Sequence, residues 1–384
     1  MTSRERMGRA MRPREGRLPD RVPVMCQLAL GHYFLHAGLD PVDIWHDSQV
    51  FCDALVRLQR RHGFDGILVN LPGRDPGWRR AVRTIEAQGN DRVVAWNNGC
   101  RTVVPPDDNP HVFPEAGASR ARVAWGDLDP DRLHYLEPHG LFGPTAVAGG
   151  AWPAWQHDTL RYVRAQAPDV SVHGEVFSPF SQLLEWVGYA SALVALIEDP
   201  DKVRACLDRL AAGAIDLAVG QADAGADAIL ISSAFAGGGF ISPRQYRAFV
   251  LPCERTVVAG IKAARPGLPV YTHTCGAIGD RLELLVESGT DGIDTLDPPP
   301  LGTVNLAEAK SRIGGRLFLK GNLDPVGTLL HGTPEACYAA ACERLSIGKP
   351  GGGYILSSAC SIAPHTPPTN IEQLRRAVDA AGAY

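Results

Sequence analysis

His273 and Cys275 stand two residues apart in Tyr271-Thr272-His273-Thr274-Cys275-Gly276, at the end of a short apolar run. In an extended strand that spacing turns both side chains to one face, so a single ion can meet both. Imidazole and thiolate together suit Zn²⁺, and Cys360, closing Ile355-Leu356-Ser357-Ser358-Ala359-Cys360, offers a third donor of the same kind. The bland alternative is a satisfied core histidine beside two buried cysteines. A thiol with its ordinary pKa near ~8.5 is mostly protonated at neutral pH, whereas one bound to zinc is deprotonated. Two thiolates and an imidazole also leave the ion less Lewis-acidic than three histidines would. The chemistry this set favours is therefore thiol methylation; polarising an ether or amine leaving group is the other use of the same ion.

Further polar residues fall at the ends of apolar runs. Glu175 reads as a fourth zinc ligand, a general acid or base, or a partner for an arginine. Asp294 and Asp297 compete with it and with water for the fourth position, but they lie on opposite faces of an extended strand unless the strand ends between them. Ser232, with Ser233, suits hydrogen bonding to substrate or capping of the next turn. Asn70, Asn322 and His32 are candidate substrate contacts; for Asn322, as for Asp324, the competing role is loop shaping, and for His32, as for His36, helix packing.

What must position these groups is a set of β-branched runs: 22–28, 65–69, 170–176, 226–231, 268–274, 289–296, 316–320 and 353–357. Helix-like segments such as 201–222, 243–264 and 334–347 carry apolar residues three and four apart between them. This alternation is that of a parallel sheet, and eight units favour closure into a (β/α)₈ TIM barrel, whose C-terminal mouth would gather the strand-end residues. An open doubly wound sheet is the alternative, yet no Gly-x-Gly-x-x-Gly follows the first run, and Gly237-Gly238-Gly239 comes too late to serve. The expected organisation is one barrel domain over 1–384 with an Arg-rich N-terminal arm over 1–20 and an insertion over about 72–168, between strands 2 and 3. Within the insertion, Asn97-Asn98-Gly99 between 92–96 and 101–104 predicts a hairpin. The insertion reads as a lid, and Trp96, Trp152 and Trp155 as pocket walls or as residues that pack it onto the barrel.

The 384 residues are 45% hydrophobic and 21% charged, with a formal net charge of -4. That composition excludes a disordered chain, and the scattered basic residues leave no groove-sized positive field for nucleic acid. No apolar run reaches membrane-spanning length and no signal peptide is visible, so a cytoplasmic protein is expected, its nine cysteines reduced. Cys26, Cys52, Cys206, Cys337 and Cys342 read as small core residues.

The C-terminal half, from Asp227 to Asn370, resembles the uroporphyrinogen decarboxylase superfamily, and more closely its zinc-dependent, corrinoid-linked methyltransferase branch. The resemblance rests on His273-Thr274-Cys275-Gly276, Glu287-Ser288-Gly289-Thr290-Asp291-Gly292-Ile293, Lys320-Gly321-Asn322-Leu323-Asp324-Pro325, Gly332-Thr333-Pro334-Glu335, and Cys360 followed by Pro364-His365-Thr366-Pro367-Pro368-Thr369-Asn370. Looser matches are Asp20-Arg21-Val22-Pro23-Val24 and Glu175-Val176-Phe177-Ser178-Pro179-Phe180. It implies a zinc enzyme that moves a methyl group between a small methyl donor or thiol and cobalamin, with a corrinoid protein as partner and a homodimer as the candidate assembly. A decarboxylase-like lyase acting on a carboxylated substrate, or a non-catalytic corrinoid-binding module with structural zinc, are the alternatives. Two departures stand out. Where classical members carry an Arg-Gln-Ala-Gly-Arg loop that grips propionates, this chain reads Met25-Cys26-Gln27-Leu28-Ala29-Leu30-Gly31-His32-Tyr33, and Leu296 stands near an expected acidic ligand.

Overall fold

A computed structural model describes residues 1–114, 122–136 and 152–384. Its strands are β1 (Gly66–Val69), β2 (Val82–Gln88), β3 (Asp91–Trp96), β4 (Arg101–Val104), β5 (His111–Phe113), β6 (Ser171–Phe177), β7 (Ala228–Ser232), β8 (Val270–His273), β9 (Gly292–Asp294), β10 (Phe318–Leu323) and β11 (Tyr354–Ser358). Seven of them form one parallel sheet in the order β1-β6-β7-β8-β9-β10-β11. Consecutive units of the chain are thus neighbours in the sheet, as right-handed βαβ winding requires. These strands are buried along nearly their whole length, which is why they read as apolar runs without alternation.

The first expected strand, 22–28, is not regular. Val24 pairs with Leu356 and Leu28 with Ile362 only as isolated bridges. On its other side the Val24 carbonyl accepts from Asp65 N at 2.7 Å, just ahead of β1. The segment thus hydrogen-bonds toward both edges of the sheet, giving a TIM-like curl. Pro23 within it has no N–H to donate, and Cys26 meets Ser358 N through its sulfur at 3.4 Å, so the ladder is interrupted.

The N-terminal arm is structure rather than a basic tail. Thr2 and Glu5 form a capping box on a helix over Ser3–Ala10. Met7, Ala10 and Met11 pack with Met25, Leu68, Ala228, Leu230, Tyr271, Phe318 and Ile355, the side chains that strand alternation turns inward. Asp65, fully buried, ties this plug to the sheet by accepting from Ser3 Oγ at 2.7 Å, Arg6 Nη1 at 2.7 Å, Arg21 Nη1 at 2.8 Å and Val24 N at 2.9 Å.

Between β1 and β6 lies an antiparallel sheet, β2-β3-β4-β5. The turn at 97–99 joins β3 to β4, with Gly99 at φ 85, a conformation that favours glycine. Trp96 is buried against the His46 and Trp78 rings and donates to Thr102 Oγ1 at 2.9 Å, while Trp152 donates to Asp216 at 2.7 Å. Both pack the segment onto the body. Parts of the expected lid, 115–121 and 137–151, lie outside the described residues. Of the expected helices, 201–222 and 334–347 are found at Pro200–Asp223 and Pro334–Gly348. The third divides into Pro243–Gln245, a widened turn over Tyr246–Val250 and Leu251–Ala264, because Pro252 cannot donate to a continuous ladder. Among the described residues no single helix is long and apolar enough to cross a membrane.

Candidate metal centre

Ladder register sets the site. Ser232 pairs with His273, His273 with Asp294, and Asp294 with Lys320, so four inward side chains sit at one level across β7 to β10. Cys275 follows β8 by two residues and Cys360 follows β11 by two. Their sulfurs lie 3.8 Å apart, and His273 Nε2 is 3.2 Å from Cys275 Sγ. One donor atom from each of His273, Cys275 and Cys360 lies within 4.8 Å of the others, the single such donor group among the described residues.

The three side chains lie within hydrogen-bonding distance of one another. Burial opposes a charge on His273, yet hydrogen bonding to Asp294 and Cys360 raises the ring to about 10. Hydrogen bonding between the cysteines pushes Cys275 up and brings Cys360 down to about 4, with His273 adding to the latter. An easily formed thiolate beside a second sulfur and an imidazole is a donor set that fits Zn²⁺.

Each competing carboxylate has other partners. Asp294 Oδ2 faces His273 Nδ1 at 3.3 Å, the nitrogen turned away from Cys275, and its Oδ1 accepts from Lys320 Nζ at 2.7 Å. Burial works against its charge, but Lys320 and His273 hold it down at about 2. Asp297 accepts from Gly276 N at 2.5 Å, and burial lifts it to about 6. Glu175 is lifted to about 7 by burial, against the pull of His273 and of a hydrogen bond from Ser232. None of the three belongs to the donor group. Asp294 and Asp297 both reach the site because β9 stops at Asp294, where Thr295 (φ 84) and Leu296 (φ 59) break the alternation.

Glu175 and Asn70 also line a cleft of roughly 390 Å³, open solvent included, with Gln156, His157 and Gln221. The donor cysteines do not line it; Glu175 does, and it lies near enough to His273 for the ring's charge to act on its carboxyl. Asn322 gives its Nδ2 to Leu296 O at 2.9 Å, and Asp324 caps the following turn through Val326 N and Gly327 N, so both shape loops. Ser232 caps no helix; the next begins at Pro243. His32 stands apart from the cluster: its Nδ1 meets Pro364 O at 3.1 Å and its ring lies 4.4 Å from His36 and 5.8 Å from His62, a helix-packing position. Trp96, Trp152 and Trp155 do not line the cleft. Lys320 joins the site as well, and its signal in the sequence is a lysine at an inward position of a buried strand.

The uroporphyrinogen decarboxylase (URO-D) family profile matches residues 154–381, more than half the chain. The chain belongs to this family. A uroporphyrinogen decarboxylase of Psychromonas ingrahamii is 33% identical over 174 residues, 45% of this chain and 46% of that protein, so the chain spans about half that relative's length in the match. One from Chlorobium phaeovibrioides is 30% identical over 306 residues, covering 76% of this chain and 80% of the relative. In three dimensions the chain is similar to a methyltransferase from Methanosarcina mazei, with TM-score 0.74, 20% identity and 99% of each chain covered, a likeness of fold.

Proposed function

We propose that the protein is a zinc-dependent methyltransferase that moves a methyl group between a small thiol, ether or amine and a corrinoid carrier. The observation that carries this reading is the convergence of one imidazole and two thiols at the mouth of the sheet, with a carboxylate behind the imidazole, the outer-sphere partner that metal-bound histidines keep. His273, Cys275 and Cys360 would hold the ion. Zinc there supplies a thiol with its negative charge at neutral pH, where the free thiol is mostly protonated. Glu175, with a pKa near neutrality and its carboxyl oriented by Ser232, can take the proton a thiol gives up. Asn70, beside Glu175 on the cleft wall, would orient the small substrate. The whole chain acts as one barrel with its insertion as lid: His365, five residues beyond Cys360, meets Asp107 of the insertion at 2.7 Å. All nine cysteines are free, which suits a reducing cytoplasm.

The names of the sequence relatives favour a second reading, a decarboxylase-like lyase. The segment 25–33, which would have to grip propionates, carries no arginine, and Met25 and His32 within it face core and helix. Metal analysis of the purified protein, with thiol-dependent demethylation of methylcobalamin set against decarboxylation of uroporphyrinogen, separates the two. Near-stoichiometric zinc with demethylation is expected. Decarboxylation without demethylation overturns the methyltransferase reading.

A further inference from the structure

We propose that Lys320 is a positioning residue for the donor cluster, acting on His273 through Asp294; this rests on reading the cluster as a metal site. The three side chains come from β8, β9 and β10 at directly opposed positions of two ladders. All are buried, with Lys320 and Asp294 each 2% exposed and His273 5%. An ammonium in such a place is retained only with a close counter-charge, and a buried pair of this kind is weak as a source of stability compared with apolar packing. Its geometry points elsewhere. Asp294 Oδ1 accepts from Lys320 Nζ at 2.7 Å and from Thr295 N at 2.9 Å, so this oxygen is held from two directions. The rotation of the carboxylate is thereby set, and Oδ2 is left facing His273 Nδ1 at 3.3 Å. With the Nδ1 proton directed at Asp294, it is Nε2, 3.2 Å from Cys275 Sγ, that faces the sulfurs and would give up its own proton to a metal ion. Lys320 touches no donor atom of the cluster, yet it fixes the carboxylate that fixes the ring.

The test measures metal affinity rather than turnover. Zinc affinity is read by competition with a chromophoric chelator, and ligand geometry from the absorption spectrum of the Co²⁺-substituted protein. Lys320→Met, close in length and without charge, should bind zinc about 10- to 100-fold more weakly than the wild type, the usual effect of losing an outer-sphere partner, and its Co²⁺ spectrum should shift. Lys320→Arg, which keeps the cation, should recover most of that loss. If Lys320→Met does not fold, Asp294→Asn breaks the same relay at the next link and should show the same weakening. A Lys320→Met protein, or failing that an Asp294→Asn protein, with wild-type zinc affinity and an unaltered Co²⁺ spectrum overturns the proposal while leaving the metal site standing. A wild type that binds no zinc removes the metal reading and this proposal with it.

Discussion

His62 should make the protein acid-labile by a calculable amount. The ring is 1% exposed, and neither nitrogen has a hydrogen-bond partner. Burial, then the charges of His32 and Arg61, bring its pKa from 6.5 down to about 3. Unfolding returns the ring to its ordinary value of about 6.5. Below that pH the unfolded chain therefore binds more protons than the folded one, so stability falls as the pH drops and stops falling near the folded value. At pH 5, about 1.5 units below the unfolded pKa, the loss from this ring is about 2 kcal/mol at 1.36 kcal/mol per unit. His62→Phe keeps an aromatic ring beside Phe64, whose centroid is 5.3 Å away, and has no proton to take up. Urea unfolding at pH 7.5 and pH 5.0 gives the difference directly: the variant should lose about 2 kcal/mol less than the wild type between the two. Equal losses in the two proteins would refute the reasoning. The lability has a local consequence, because His32 and His36 both contact Pro364 O at 3.1 and 3.2 Å, in the loop that follows Cys360. Hydrogen exchange in that loop should therefore rise before global unfolding does.

Asp65→Ala leaves Arg6 and Arg21, with side chains 9% and 13% exposed, without their buried carboxylate, and should cost about 3 to 5 kcal/mol; a fall in urea midpoint no larger than that of Asp20→Ala would contradict it. His273→Ala, Cys275→Ser and Cys360→Ser should each remove most bound zinc, measured by emission spectrometry, while circular dichroism stays that of a folded chain; full occupancy in all three would sink the assignment. Shortening the β3-β4 hairpin should change substrate preference and leave zinc content intact, with identical kinetics on every substrate as the opposing result.

Strand positions were legible because a parallel sheet covered on both faces writes itself as apolar runs, and the register that unites His273 with Asp294 and Lys320 follows once those strands are neighbours. The donor set was legible too, from two-residue spacing in 273–275 and the strand-end place of Cys360. The irregular 22–28 segment was not, since its apolar residues have strand spacing and only partner geometry decides between ladder and bridges. The plug helix is hidden by composition: five arginines between 4 and 14 give the segment the look of a basic arm, while Met7, Ala10 and Met11, at a spacing of three and four, carry the helical signal. The sequence left His32 open between substrate contact and helix packing for another reason. Proximity in sequence to the end of an expected strand says nothing about which way the first helical turn rotates a side chain, and here it turns toward His36 and His62.

The corner after β9 shows most clearly how a local departure serves the site. An extended strand through 294–297 would send Asp294 and Asp297 to opposite faces, one into the centre and the other into the helical layer. Thr295 at φ 84 is β-branched and left-handed, a conformation that costs of order 1 to 3 kcal/mol and persists only where surroundings enforce it. They do so here: Thr295 Oγ1 donates to Thr274 O at 2.7 Å, and Leu296, fully buried, lends its carbonyl to Asn322 Nδ2. The bonds tie the corner to the residue between His273 and Cys275 and to the end of β10. The result is that Asp294 supports His273 from behind while Asp297 holds Gly276 N, so the two carboxylates brace the two sides of one short donor segment. Leu296→Gly should relax the φ constraint yet lose the buried side chain. Because the corner's task is to aim two carboxylates, the prediction is that zinc affinity falls in this variant in addition to the drop in urea midpoint that loss of a buried leucine side chain brings. Unchanged affinity together with a lowered midpoint would make the corner a packing feature only.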